Sequence, residues 1–315
     1  MLSLLVIVGP TAVGKTALSL QLAQKFPLEI ISADSRQIYR GCNIGTAKAT
    51  PAERAAVPHH LLDVADPDQI VTLAEFQARA YALIEQISAR RRLPALVGGT
   101  GQWVKAVVEG WGIPRVPPDF ALRAELEARA AKVGGAALHA ELSAVDPQAA
   151  AKIDPRNLRR VIRALEVFRK TGVPISVHQQ KNLPPYNILQ IGLTMPREAL
   201  YARVDRRIDR MMEMGLLDEV RQLEQAGYDW QMPAMMGLGY KQMGQYLRGE
   251  VSLDEAVALI KKETRRFVRQ QYNWFRLDDP AIRWFELAPE GGAPVAEIYS
   301  LIEVELQPRI PPQSV

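Results

Sequence analysis

Leu4-Leu5-Val6-Ile7-Val8-Gly9-Pro10-Thr11-Ala12-Val13-Gly14-Lys15-Thr16 decides the fold. Residues 4–8 are an unbroken apolar run that reads as a buried strand. Gly9-Pro10 ends it, and Gly14-Lys15-Thr16 opens a helical pattern with Leu18 and Leu22 four apart. The spacing is Gly-x-x-x-x-Gly-Lys-Thr, in the strand–loop–helix setting that a phosphate-cradling loop requires. Glycines let successive N–H groups converge on anionic oxygens, Lys15 adds a point charge, and the Thr16 hydroxyl is a Mg²⁺ ligand. Gly9, Pro10, Thr11, Ala12, Val13, Gly14, Lys15 and Thr16 are therefore the expected diphosphate- or triphosphate-binding residues. The competing reading is a Gly-rich turn with an accidental lysine.

Reading outward, Leu28-Glu29-Ile30-Ile31-Ser32 is a second strand that ends at Ala33-Asp34-Ser35-Arg36-Gln37. Ligands of open parallel sheets gather beyond the carboxyl ends of the strands, which puts Asp34 near the loop. An aspartate here also suits a helix N-cap. Residues 41–58 read as a loop, and His59-His60-Leu61-Leu62-Asp63-Val64 as a strand or edge segment. Adjacent histidines face opposite sides of a strand, so they do not form a metal site. Structural or substrate-contacting roles fit them better. Residues 73–91 are helical, with Phe76, Ala80, Leu83, Ile84 and Ile87 on one side and a basic end that suits a helix C-terminus. Residues 94–97 form a third strand closing on Gly98-Gly99-Thr100-Gly101, where a nucleotide hydrolase would carry an acidic Mg²⁺ partner. The glycines suggest something bulky against the backbone, and the missing acid argues against simple hydrolysis.

These signals predict an α/β fold: a P-loop, nucleotide-kinase-like parallel sheet flanked by helices. A helical insertion domain and a mainly helical C-terminal part complete it. The expected divisions are a core at 1–115, an insertion at 116–186, core completion at 187–290 and a Pro-rich tail at 291–315. The strand signal returns at 188–194, and a short one recurs at 283–287. At 315 residues the chain has room for a sizeable core. One cysteine, Cys42, excludes an internal disulfide and suits a reducing cytoplasm. There is no signal-peptide pattern, and no apolar run approaches a membrane span.

The net charge is only +4, yet the positive charge is gathered. On a helix, Leu158, Val161, Ile162, Leu165 and Phe168 share an arc, while Arg156, Arg159, Arg160, Arg163 and Lys170 lie within roughly 100° on the other side. In the helix expected at 253–275, Leu253, Val257, Ile260, Phe267 and Trp274 oppose Lys262, Arg265, Arg266 and Arg269. Clustering of one sign points to a polyanion such as nucleic acid. A third set, Arg203, Arg206, Arg207 and Arg210, alternates with Asp205 and Asp209. It reads as i, i+4 pairing, with one arginine available as a lid over the phosphate loop.

Together the motifs resemble the tRNA dimethylallyltransferase (tRNA isopentenyltransferase) family in its bacterial form, over nearly the whole chain. Besides the phosphate loop the resemblance rests on Ser32-Ala-Asp-Ser-Arg-Gln-Ile-Tyr39, Asn43-Ile-Gly-Thr-Ala-Lys48, Pro58-His-His-Leu-Leu-Asp63 and Gly98-Gly-Thr-Gly101. It continues through Arg160-Val-Ile-Arg-Ala-Leu-Glu166, Thr171-Gly-Val-Pro-Ile-Ser176, Gly239-Tyr-Lys241 and Trp274-Phe-Arg276. The chain has Gln270 and Asn273 where the family commonly has arginine and threonine, and Arg159 where glutamine is frequent.

The resemblance implies that dimethylallyl diphosphate occupies the loop. Its prenyl group would pass to N6 of the adenosine 3′ of the anticodon, in tRNAs that read codons beginning with U. It implies catalytic roles for Asp34 as general base, Thr100, and Arg207 at the leaving diphosphate. It implies tRNA contacts at Asp34, Ser35, Arg36, Gln37, Thr100, Arg123, Arg159, Arg160, Val161, Ile162, Arg163 and Lys241. Mg²⁺ on Thr16, a cytoplasmic monomer and no membrane partner complete the expectation. The alternatives are a nucleotide-kinase-like phosphotransferase and an RNA-binding nucleotide switch.

Overall fold

The computed structural model describes residues 1–306. Within them one sheet runs β3-β2-β4-β1-β5-β6, with every neighbouring pair parallel. The strands are β1 (Leu2–Val8), β2 (Leu28–Ser32), β3 (His59–His60), β4 (Leu93–Val97), β5 (Tyr186–Thr194) and β6 (Ile282–Glu286). Every residue of β2 and β4 is buried, as strands covered by helices on both faces require. The strand after β1 lies two places to one side of it, and β5 lies on the other side. That reversal opens a crevice at the carboxyl end of β1, where the phosphate loop sits.

The structure corrects several local expectations. The segment expected as a loop at 41–58 contains a helix, Pro51–Ala56, started by a capping box. Thr50 accepts the Glu53 N–H, Glu53 accepts the Thr50 N–H, and Pro51 occupies the first turn. The strand expected at 59–64 shrinks to His59–His60, because Leu61 and Asp63 take φ of +60° and +55° and turn the chain away. The 291–315 tail holds a helix, Val295–Leu306, whose Ile298, Ile302 and Leu306 are buried against β1, β5 and the Lys15–Leu22 helix. The rest of that tail lies outside the described residues.

Glu109–Pro184 forms a compact unit of its own. Its helices include Phe120–Val133, Gly135–Val145 and Leu158–Thr171, around a core of Leu126, Leu138, Leu142, Val161, Ile162 and Leu165. Inside lies Glu166, with no exposed surface. It accepts from Arg123 at 2.9 and 2.8 Å, from Arg163 at 2.5 Å and from the Asp119 N–H at 2.7 Å. Burial alone raises its pKa, but the two guanidinium groups and the N–H outweigh burial and hold it below the ordinary carboxylate value.

Removing Glu166 strands two guanidinium groups that are about 30% exposed. The expected cost of Glu166→Ala is therefore at the low end for a broken buried pair, about 3 kcal/mol. Hydrogen exchange along the Leu158–Thr171 helix reads this as lost protection. In the native chain the depressed pKa makes the Glu166 contribution complete above the unfolded-state carboxylate pKa. It fades as pH falls through the folded value. Protection that survives either change contradicts the assignment.

Candidate active site

The loop between β1 and the Lys15–Leu22 helix is set by backbone geometry. Gly9 has φ +141°, and a Cβ there would strike the Leu193 carbonyl of β5. Ala12 and Gly14, at φ +64° and +114°, adopt the left-handed conformations that let successive N–H groups face one anion. Val13 is fully buried and anchors the turn. Lys15 Nζ donates to the carbonyls of Gly9 at 2.9 Å and Pro10 at 2.8 Å. Burial lowers its pKa to about 8, with Asp34 opposing the shift and Arg207 reinforcing it.

At the Gly98-Gly99-Thr100-Gly101 turn the bulky groups expected against the backbone are the protein's own side chains. A Cβ on Gly98 would meet the Ala33 backbone, one on Gly99 the Gln271 side chain, and one on Gly101 the Trp274 ring. Gln271, on the Leu253–Trp274 helix and 3% exposed, accepts the Thr11 N–H at 2.8 Å and donates to the Gly99 carbonyl at 2.9 Å. It fastens the phosphate loop to the turn. Thr100 Oγ1 accepts the Ser35 N–H at 3.1 Å and lies 3.4 Å from Ser35 Oγ, fixing the loop that carries Asp34.

Asp34 shows both features considered for it. Oδ1 accepts the N–H groups of Arg36 at 2.8 Å and Gln37 at 3.4 Å, so the carboxylate caps its own turn. The same side chain lines two adjoining cavities. One, of about 440 Å³, is bounded by Thr11, Ala12, Gly14, Lys15, Thr16, Asp34 and the four arginines 203, 206, 207 and 210. The other, of about 360 Å³, is bounded by Asp34, Ser35, Arg36, Thr100, Ile208, Met211, Met236, Leu238, Tyr240, Ile260 and Phe267. Thr11, Ala12, Lys15, Asp34 and Arg207 border both.

The arginines come from one face of the Arg197–Glu213 helix. Their intervening acids do not neutralise them, contrary to the pairing read from sequence. Asp205 is held by Arg265 at 2.8 Å and Asp209 by Lys261 at 2.5 Å, both from the Leu253–Trp274 helix. Among the described residues Arg203, Arg206, Arg207 and Arg210 have no ion-pair partner. Burial lowers the Arg207 pKa and Asp34 counters it. Arg269, expected on the basic face, donates to the Tyr201 hydroxyl.

Sequence reasoning missed Glu219. This carboxylate, 8% exposed, accepts the N–H groups of Asn43, Ile44 and Gly45 at 2.7–3.0 Å and the Tyr240 hydroxyl at 2.6 Å. It shapes the loop whose Thr46 and Ala47 carbonyls accept from Gln37 at 3.2 Å. It lies on the Leu216–Gln225 helix, within a stretch expected only to be mainly helical, and a carboxylate there reads as surface. Lys48, from the same loop, is buried against the Tyr39 carbonyl and Asp63.

The other expected residues are spread from the cavity rims outward. Arg36 is exposed and donates to the Pro233 carbonyl at 2.6 Å. Lys241 is exposed beside Trp230 and Arg248. In the Glu109–Pro184 unit, Arg159 and Arg160 are exposed, whereas Val161 and Ile162 are core. Arg123 and Arg163, each about 30% exposed, pair with Glu166. Thr16 is exposed at the cavity edge. The described residues contain no cluster of three His, Cys, Asp or Glu that would hold a metal alone. They also contain no helix long and apolar enough to cross a membrane.

Residues 37–278 match the IPP transferase family model. The tRNA dimethylallyltransferase of Roseiflexus sp. (strain RS-1) is 56% identical over 88% of this chain and 90% of its own. The one from Dehalococcoides mccartyi is 52% identical over 90% and 87%. The full-length tRNA isopentenylpyrophosphate transferase of Bacillus halodurans superposes with a TM-score of 0.73 at 44% identity, covering 98% of this chain and 97% of that one. A eukaryotic dimethylallyltransferase acting on tRNA superposes at 0.77 with 27% identity, over 98% and 77%. With this sheet order, this loop and these relatives, the chain belongs to the tRNA dimethylallyltransferase (IPP transferase) family.

Proposed function

We propose that the chain transfers a dimethylallyl group from dimethylallyl diphosphate to N6 of the adenosine 3′-adjacent to the anticodon, in tRNAs reading codons that begin with U. Pyrophosphate is released. One observation carries the reading: a cationic cavity over the phosphate loop and a largely apolar one beside it share Asp34, Lys15 and Arg207. A diphosphate fits the first. A base taken out of its stack fits the second, and the two reactants meet at the shared wall.

The chemistry follows from that wall. The adenosine N6 lone pair is delocalised into the ring, so the amine is a weak nucleophile until it loses a proton. As the N6–C1 bond forms, the C1–O bond to the diphosphate breaks and the N6 proton passes to the Asp34 carboxylate. Oδ1 stays held by the Arg36 and Gln37 N–H groups, which keeps the carboxylate aimed during transfer. Charge gathering on the leaving oxygen is met by loop N–H groups, Lys15 and Arg207. The donor set suits Mg²⁺, which keeps several waters and takes one or two protein oxygens together with substrate phosphates. Thr16 would hold it, and when bound it would offset the charge of the departing pyrophosphate. Ser35, Arg36, Gln37, Thr100 and Lys241 are the proposed tRNA contacts in the core, with Arg159 and Arg160 in the helical unit. A monomer acting in the cytoplasm, where the tRNA substrate is found, completes the proposal.

The test is a substitution that separates chemistry from binding. Asp34→Asn keeps an oxygen for the turn and removes the base, so kcat for prenylation falls about 10²–10⁴-fold while tRNA affinity holds. Undiminished turnover removes Asp34 from the chemistry. Addition of ATP in place of the prenyl donor yields no phosphoryl transfer; a kinase-like enzyme would give it.

Lys15 adds a pH dependence with a definite sign. Its cation is present below its pKa of about 8 and is lost as pH rises through that value. The KM for dimethylallyl diphosphate is therefore flat at neutral pH and climbs above about 8 in the native chain. Lys15→Arg, with its far higher pKa, loses the inflection near 8. An unchanged inflection in the variant assigns it to another group.

A further inference from the structure

Glu219 is 8% exposed, and among the described residues no cation pairs with it. Burying a carboxylate in this way is costly unless donors surround it. Four do. Oε2 accepts the N–H groups of Asn43 at 2.9 Å and Ile44 at 2.7 Å, while Oε1 accepts the Gly45 N–H at 3.0 Å and the Tyr240 hydroxyl at 2.6 Å. Burial pushes the Tyr240 pKa well above its ordinary value, which keeps the hydroxyl a donor. Glu219 also stands in the first turn of the Leu216–Gln225 helix, where the helix dipole favours negative charge. Because every partner donates, both oxygens must accept. A glutamine here would turn its NH₂ against at least one N–H. The three N–H groups belong to a segment that walls the cavity beside the phosphate loop. Gly45, Thr46 and Tyr240 line that cavity, and Glu219 stands behind them. The fit has no slack: a Cβ on Gly45 would lie 2.6 Å from the Tyr240 ring. On its other side the segment is tied to Asp34. The Thr46 and Ala47 carbonyls accept from the Gln37 amide at 3.2 Å, and the Gln37 N–H donates to Asp34 Oδ1 at 3.4 Å. Residues 43–47 are thus clamped between a buried carboxylate and the turn that carries Asp34.

We propose that Glu219 is a positioning residue for the acceptor. It holds the Gly45–Thr46 wall and the Tyr240 ring at the depth where N6 of the inserted base reaches both Asp34 and C1 of the donor. The inference rests on the function proposed above and adds to it a residue that touches neither reactant. The head group of the donor depends on other contacts. Lys15 is held by the Gly9 and Pro10 carbonyls, and Gln271 fastens the Thr11 N–H of the phosphate loop. Loosening the wall therefore costs geometry at the acceptor, where a misplacement of about 1 Å lowers the rate about 10²-fold.

The test is a single-turnover measurement on the full chain, with protein in saturating excess over unmodified tRNA and with saturating dimethylallyl diphosphate. Inactive molecules then leave the rate constant unchanged. Glu219→Gln should lower the rate constant for prenyl transfer about 10²-fold. The tRNA dissociation constant, and inhibition by inorganic pyrophosphate, which carries the head group alone, should stay at the native level. Gly45→Ala drives the wall against Tyr240 with the carboxylate intact and should lower the rate constant as well. Because both changes act on one wall, the double variant should fall no further than the worse single one. A native rate constant in folded Glu219→Gln overturns the assignment, and so does a loss confined to tRNA affinity. Losses that multiply in the double variant also overturn it. So does a pyrophosphate inhibition constant that rises in step, since that places the damage at the head group. If Glu219→Gln does not fold, Gly45→Ala carries the test, and a native rate constant there overturns the assignment equally. Failure of the native chain to prenylate tRNA at all contradicts the function itself, a separate outcome.

Discussion

Gln271 joins two segments that must hold their shape for this site to exist. Its amide spans the Thr11 N–H and the Gly99 carbonyl, and it is reached only across 172 residues from one and 260 from the other. Both partners are backbone groups, so neither can be supplied by a compensating side chain. A buried peptide group left unpaired costs about 1–3 kcal/mol, and loss of Gln271 would strand the buried Gly99 carbonyl in this way. The glycine turn follows from the same constraint. Gly99 carries no side chain because the Gln271 amide occupies that space, and Gly101 carries none because Trp274, three residues further along the same helix, packs there. The position where a nucleotide hydrolase places a metal-binding acid serves instead to dock a helix.

That helix also controls the charge. By holding Asp205 and Asp209 through Arg265 and Lys261, it turns the acids of the Arg197–Glu213 helix away from the cavity. The intervening arginines are left facing the phosphate loop without carboxylate partners. Such an arrangement is costly unless an anion is bound for part of the working cycle, because like charges in a half-enclosed space repel. The same helix therefore shapes the loop, fills the turn and charges the cavity. Asp34 lies where these effects converge.

The parallel sheet, the phosphate loop and the position of Asp34 were legible because each rests on local signals. Apolar runs, a glycine–lysine spacing and a residue just beyond a strand are all readable within a short window. What stayed hidden depended on distant partners. Glu219 looked like an ordinary surface acid until the Asn43–Gly45 turn folded onto it. Asp205 and Asp209 looked like partners for their own neighbours until a second helix claimed them. The basic face around Arg160 read as an RNA surface, yet Arg163 turns inward to Glu166, which nothing in the spacing distinguishes from an exposed glutamate. The Thr50-x-x-Glu53 capping box was readable, but the surrounding loop residues masked it.

The central claim is that this phosphate loop cradles a leaving group while carbon is attacked. The most direct measurement is mass spectrometry of nucleosides from unmodified tRNA incubated with the protein, Mg²⁺ and dimethylallyl diphosphate, with released pyrophosphate counted in parallel. The account predicts dimethylallyl-adenosine at the site 3′ of the anticodon, formed in step with pyrophosphate. Pyrophosphate release with no prenylated adenosine, or no release at all, would contradict it.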